Sequence, residues 1–143
     1  MANEATVTSS LRVVAGNIQY QSLPQSFNAT VTGRKGPTPG AITATVGGTI
    51  VDLSELVQPA LCRIGNLDTA NWIEYGMLDP DTQKFYPLGE VLPGESYVIR
   101  LSRNVQEEYD TGIATGTTGT ARNQLLIRAN AQSCVVVVEA FET

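Results

Sequence analysis

Trp72-Ile-Glu-Tyr-Gly-Met-Leu78, Asp79-Pro-Asp-Thr82, Lys84-Phe-Tyr-Pro-Leu88, Leu92-Pro-Gly-Glu95 and Ser96-Tyr-Val-Ile-Arg-Leu101 decide the fold class when read in order. Short apolar runs alternate here with turn-forming clusters. Successive side chains of a strand point to opposite faces. Ile73, Tyr75 and Met77 therefore share one face, with Trp72, Glu74 and Gly76 on the other. Tyr97, Ile99 and Leu101 point inward in the same way, with Val98 and Arg100 outward. Asp79 to Thr82 and Leu92 to Glu95 are turns by composition, so Trp72–Leu78 and Lys84–Leu88 read as a hairpin.

Toward the N-terminus the same grammar continues. Ala60 to Gly65 reads as a strand with Cys62 and Ile64 on one face and Leu61 and Arg63 on the other. Asp52 to Val57 has room for one helical turn, capped by Asp52 or Ser54, and Pro59 ends it. Ala41–Val46 and Thr49–Leu53 flank Gly47-Gly48, a hairpin turn pair. Gly33 to Gly40 holds three glycines and two prolines, which excludes a helix or a central strand and predicts an exposed loop. Ser26–Thr32 alternates with Phe27, Ala29 and Val31 on one face. Thr6–Val14 and Asn17–Gln21 are strands joined by a Gly16-Asn17 turn.

Toward the C-terminus, Arg103 to Asn123 loses the pattern, and Thr111–Thr120 is almost wholly Thr and Gly. Gln124–Ala129 and Ser133–Phe141 are the closing strands. In the last, Cys134, Val136, Val138 and Ala140 face inward while Val135 and Val137 turn outward with Glu139. An apolar outer face implies either a central, covered strand or a contact with another subunit. The whole chain predicts an all-β fold: an antiparallel sandwich or jelly-roll-like barrel of about eight to ten short strands. One domain over residues 1–143 is expected, with exposed loops at 33–40 and 103–123.

Composition removes most chemistry. There is no histidine among the 143 residues, which eliminates imidazole bases, histidine metal sites and His-dependent triads. Nine basic against fourteen acidic residues give a net charge of −5, and the basic residues are scattered, so no nucleic-acid surface is expected. No run approaches a membrane span, and no signal peptide opens the chain. Asn28-Ala29-Thr30 matches a glycosylation acceptor by chance on that reading.

Cys62 and Cys134 are too few for a zinc site and sit in apolar runs, which predicts two buried thiols. Asp79 and Asp81 begin like a calcium loop, but Gln83 and Lys84 break the pattern, leaving a turn. Glu107, Glu108 and Asp110 are read as solvated. No acid lies in an apolar run except Glu74 and Glu139, both outward. No catalysis, cofactor or metal is expected. Trp72 with Phe85 or Tyr86 offers one ligand option, a stacking platform for a sugar, for which Trp72 and Tyr86 are the candidates.

Gly48-Thr-Ile-Val-Asp-Leu, Cys62-Arg-Ile-Gly-Asn-Leu-Asp, Asn71-Trp-Ile-Glu-Tyr-Gly and Phe85-Tyr-Pro-Leu-Gly-Glu-Val-Leu-Pro-Gly-Glu-Ser together resemble a group of small tailed-bacteriophage virion proteins. The likeness covers roughly residues 48 to 101 and is a pattern of strands and turns with no catalytic signature. It implies a non-enzymatic head decoration or cement protein, made in the host cytoplasm and carried on the capsid surface. The partners it implies are the major capsid protein and further copies of this chain, with a trimer favoured. The alternatives are a tail or fibre component and a carbohydrate-binding β-sandwich. On the decoration reading the contact residues are Val135 and Val137 on the last strand and Arg34, Lys35 and Ile113 in the loops.

Overall fold

The computed structural model describes residues 4–31, 36–79, 82–102, 105 and 124–143. Among them lie twelve strands and no helix: β1 (Glu4–Ser9), β2 (Arg12–Ala15), β3 (Ile18–Gln21), β4 (Gln25–Thr30), β5 (Thr38–Ala44), β6 (Thr49–Ile50), β7 (Pro59–Asn66), β8 (Ile73–Asp79), β9 (Lys84–Val91), β10 (Ser96–Arg100), β11 (Gln124–Ala129) and β12 (Cys134–Glu142). β5 to β12 build two four-stranded antiparallel sheets, ordered β10-β7-β12-β5 and β6-β11-β8-β9. They pack face to face as a sandwich with no closed barrel.

The core lies between them. From the first sheet come Ala44, Cys62, Ile64, Cys134, Val136, Val138 and Ala140; from the second, Ile73, Val91, Leu125, Ile127 and Ala129. The alternation read for the last strand is what is observed: Cys134, Val136, Val138 and Ala140 are wholly buried. β12 is central, between β7 and β5. Val51, Leu53 and Leu56 plug one gap in the core. The helical turn expected over Asp52–Val57 is instead a hydrogen-bonded turn, in which Leu56 N–H donates to the Leu53 carbonyl and Ser54 N–H to Asp52 Oδ1. Three buried apolar residues in this short segment leave no polar stripe for a helix to show solvent.

The chain changes sheet at nearly every connection. Among the described residues, β8 and β9 are the only consecutive strands of the sandwich that pair with one another. The hairpin expected across Gly47-Gly48 is not formed: β5 pairs with β12, whereas β6 pairs with β11 in the other sheet. Glycine pairs suit such a crossover as well as a tight turn, because both demand a sharp change of direction. β5 begins at Thr38, inside the segment read as a loop, and tolerates Pro39 because it is an edge strand.

The first four strands stand apart from the sandwich. β1 pairs only with β4 and β2 only with β3, and β2 and β3 continue beyond β1 and β4 into one long hairpin. Ser22 N–H donates to the Leu11 carbonyl where the two halves meet. Gly16 takes φ 57° at the first position of the two-residue turn, a conformation open to glycine and costly for most other residues.

Candidate assembly surfaces

The hairpin arm is two-faced. Paired residues share a face, so Thr6 lies beside Asn28 and Thr8 beside Ser26. Those pairs are hydrogen bonded at 2.9 and 2.7 Å, and Asn28 also donates to Glu4. The opposite face of the same strands carries Ala5 and Ala29, then Val7 and Phe27. Beyond it, Val13 lies opposite Tyr20 and Ala15 opposite Ile18. Exposure climbs along this row from 9% at Ala29 through 49% at Phe27 to 63% at Ile18. The base of the arm is the less exposed part, and the apolar tip is bare.

A second apolar surface is the outer face of the β10-β7-β12-β5 sheet. Val135 is half exposed, and Leu67, whose N–H donates to the Val135 carbonyl, is more so. Val137 lies opposite Gly65 on one side and Ala41 on the other, a shallow trough where side chains are small. Exposed Val98 stands opposite Arg63 on β10. Arg63 and Glu139 face each other across the strands and are ion-paired at 2.6 Å, so the charged spot at the middle of this face is neutralised within the sheet, while exposed Arg100 lies farther along it, opposite Leu61.

The remaining polar groups are engaged structurally. Arg128 pairs with Glu74 across β11 and β8 and lies 5.0 Å from the centre of the Phe85 ring. Cys62 and Cys134 are both free and buried. They lie on neighbouring strands, but Cys62 is opposite Ala140 and Cys134 opposite Ala44, which separates them by about 20 Å along the sheet. Burial, with the Glu139 charge second, pushes the Cys62 thiol up to about 12. Burial likewise raises Cys134, whose Sγ donates to the Gln132 carbonyl. Among the described residues no cluster of three or more His, Cys, Asp or Glu is placed to hold a metal ion.

The sugar platform read from the sequence is not assembled. Tyr86 is exposed and opposite Met77 in the β8–β9 hairpin. Trp72 is half-buried and precedes β8, five residues from Met77 and on the opposite face by alternation. About 16 Å along the strand therefore separates them, too far for one ring to stack on both. Phe85 is engaged by Arg128 instead. Arg34, Lys35, Ile113, Asp81 and the Glu107, Glu108 and Asp110 group lie outside the described residues.

Sequence reading singles out Val135 and Val137 as outward on the last strand but misses the arm, whose strands it places without their isolation. A signal was present. Most cross-strand pairs of the Gly16-Asn17 hairpin match in polarity, as Thr6 with Asn28, Thr8 with Ser26, Val7 with Phe27 and Val13 with Tyr20 do, although Val14 is opposite Gln19. No family model, curated protein or solved structure matches the chain.

Proposed function

We propose that this chain is a non-enzymatic structural subunit of a phage particle, a decoration or cement protein on the capsid surface that braces neighbouring coat subunits. The observation that carries the reading is the hairpin arm, a projecting ribbon that leaves Leu11, Val13, Ile18, Tyr20 and Phe27 in solvent. Exposed apolar rows of this extent mark contact surfaces for other proteins. An extended ribbon gains from repeated weak contacts when many copies sit on one shell. The resemblance over residues 48 to 101 supplies the kind of assembly, and the trimeric state belongs to the same proposal.

Quantitative mass spectrometry of purified particles tests it by counting this chain against the major coat protein. Copy number in fixed proportion to the coat is the expected result. A few copies per particle would assign the chain to a tail or fibre instead, and absence from particles would overturn the reading.

A further inference from the structure

We propose that the arm of one copy lays its apolar face on the outer face of the β10-β7-β12-β5 sheet of a second copy, with Val13, Ile18 and Tyr20 set against Leu67, Val135 and Val137. The inference rests on the assembly reading above and names the partner of the arm. Three observations lead to it.

The first is shape and polarity. The arm's apolar face carries no charged side chain, since Glu4 and Arg12 fall on its other face. The receiving face is low at Ala41 and at Gly65, over which the Arg63 guanidinium reaches, and is bordered by exposed Val135 and Leu67. Its central charges, Arg63 and Glu139, are already paired, and Arg100 lies at the far end of the face, opposite Leu61, so docking over Val135 and Val137 strands no lone ion. A two-stranded ribbon packs on a sheet at about 10 Å, the ordinary spacing of stacked sheets.

The second is area. Legs of about 40 Å at ~3.3 Å per residue, in a ribbon about 10 Å wide, give one face of roughly 400 Å². A single docked arm thus buries about 800 Å² over both partners, short of the ~1,200–2,000 Å² of a stable interface. When the occupant is a second copy, every chain gives one arm and receives one. Each chain then buries about 800 Å² over its two roles, and a reciprocal pair gathers both docked arms into one interface of about 1,600 Å², within the standard range. The third is stoichiometry: one arm and one receiving face per chain allow contacts that close into a ring with nothing left over.

The test uses the purified full chain, with light scattering after gel filtration across a dilution series. Wild type is expected to associate and to dissociate on dilution. Ile18→Glu and Val135→Lys, both at exposed positions and checked for native circular dichroism, should each weaken association at least tenfold. Combining the two changes in one chain sets opposite charges against each other and should recover much of the loss. A wild type that stays monomeric throughout would overturn the inference and leave the arm for a coat partner. So would arm variants that associate normally, or a combined variant no stronger than Ile18→Glu alone, which would mean that position 18 does not face position 135. A chain that is monomeric in solution yet abundant on particles keeps the proposed function and loses this inference. A chain that self-associates yet is missing from particles does the reverse.

Discussion

Asn66 is buried at the end of β7 with its side chain fully engaged. Its Nδ2 donates to the carbonyls of Asn71 and Val91, and its Oδ1 accepts from Asp68 N–H. Its main chain adds two more bonds, to Glu95 and from Gly94, so one residue ties two connections, β7–β8 and β9–β10, to the end of the sandwich. Asn66→Ala would leave buried carbonyls without donors, and about 3 kcal/mol of stability should be lost in urea unfolding. Asp68 caps the adjoining turn through the N–H groups of Asn71 and Ala70, which hold its carboxyl below the ordinary value of 3.8. A lowered folded value stabilises above the unfolded one and stops doing so as pH falls. The stability gap between wild type and Asp68→Asn should therefore be full at neutral pH and close below about pH 4. Cys62 has the opposite sign. Raised from 9.0 to about 12, its thiol favours the folded state below pH 9.0 and ceases to as pH climbs through that window. A thiol reagent at neutral pH should label Cys62 only at the rate of unfolding, since the thiolate is the reactive form.

At the scale of elements, the β8–β9 hairpin was legible because its partners are adjacent in sequence and its turn is spelled out. Its irregularity was not. The register shifts at Tyr75–Gly76, where Tyr75 is opposite Gly89 but Gly76 is opposite Pro87, so Leu88 is an extra residue. A Cβ built on Gly76 would sit 2.0 Å from the Tyr86 carbonyl oxygen. Gly76→Ala should cost about 2–4 kcal/mol and be visible as a lower unfolding midpoint. Gly47→Ala, where nothing lies within 4 Å, is the near-neutral control. Alternation also foretold which way Cys62, Ile64, Val136 and Val138 point, since burial of one face fixes register. What it could not foretell is the sheet to which a strand belongs. Thr49–Ile50 would satisfy the same pattern paired with the open edge of β5 or with β11, and it pairs with β11. Tyr97 shows a related limit: it lies on the core side opposite Ile64 but at the sheet edge, where it is exposed and donates to Glu95.

For the whole molecule, the division into a packed sandwich and a projecting arm sets two levels of stability. A hairpin with one open face opens without unfolding the body, because regions with little apolar burial exchange first. In the dilute Ile18→Glu variant, hydrogen exchange should be fast across residues 4–30 and slow in β7 and β12. Equal protection in both would mean that the arm packs on its own body. The candidate surface was half legible for the same reason: an apolar β12 face is visible in a run of four valines, whereas isolation of the arm depends on strands that never pair with those of the sandwich. The position of β12 carries a consequence for biosynthesis. β12 lies between β5 and β7 and pairs with both, so a ribosome must deliver residues as late as 142 before the first sheet gains its middle strand. The arm needs only neighbours within its own first thirty residues and so completes early, while non-local pairing makes the sandwich slow to close. During that interval the nascent chain displays a finished apolar ribbon beside an unfinished core, and crowded synthesis would favour capture of one by the other between polysome neighbours.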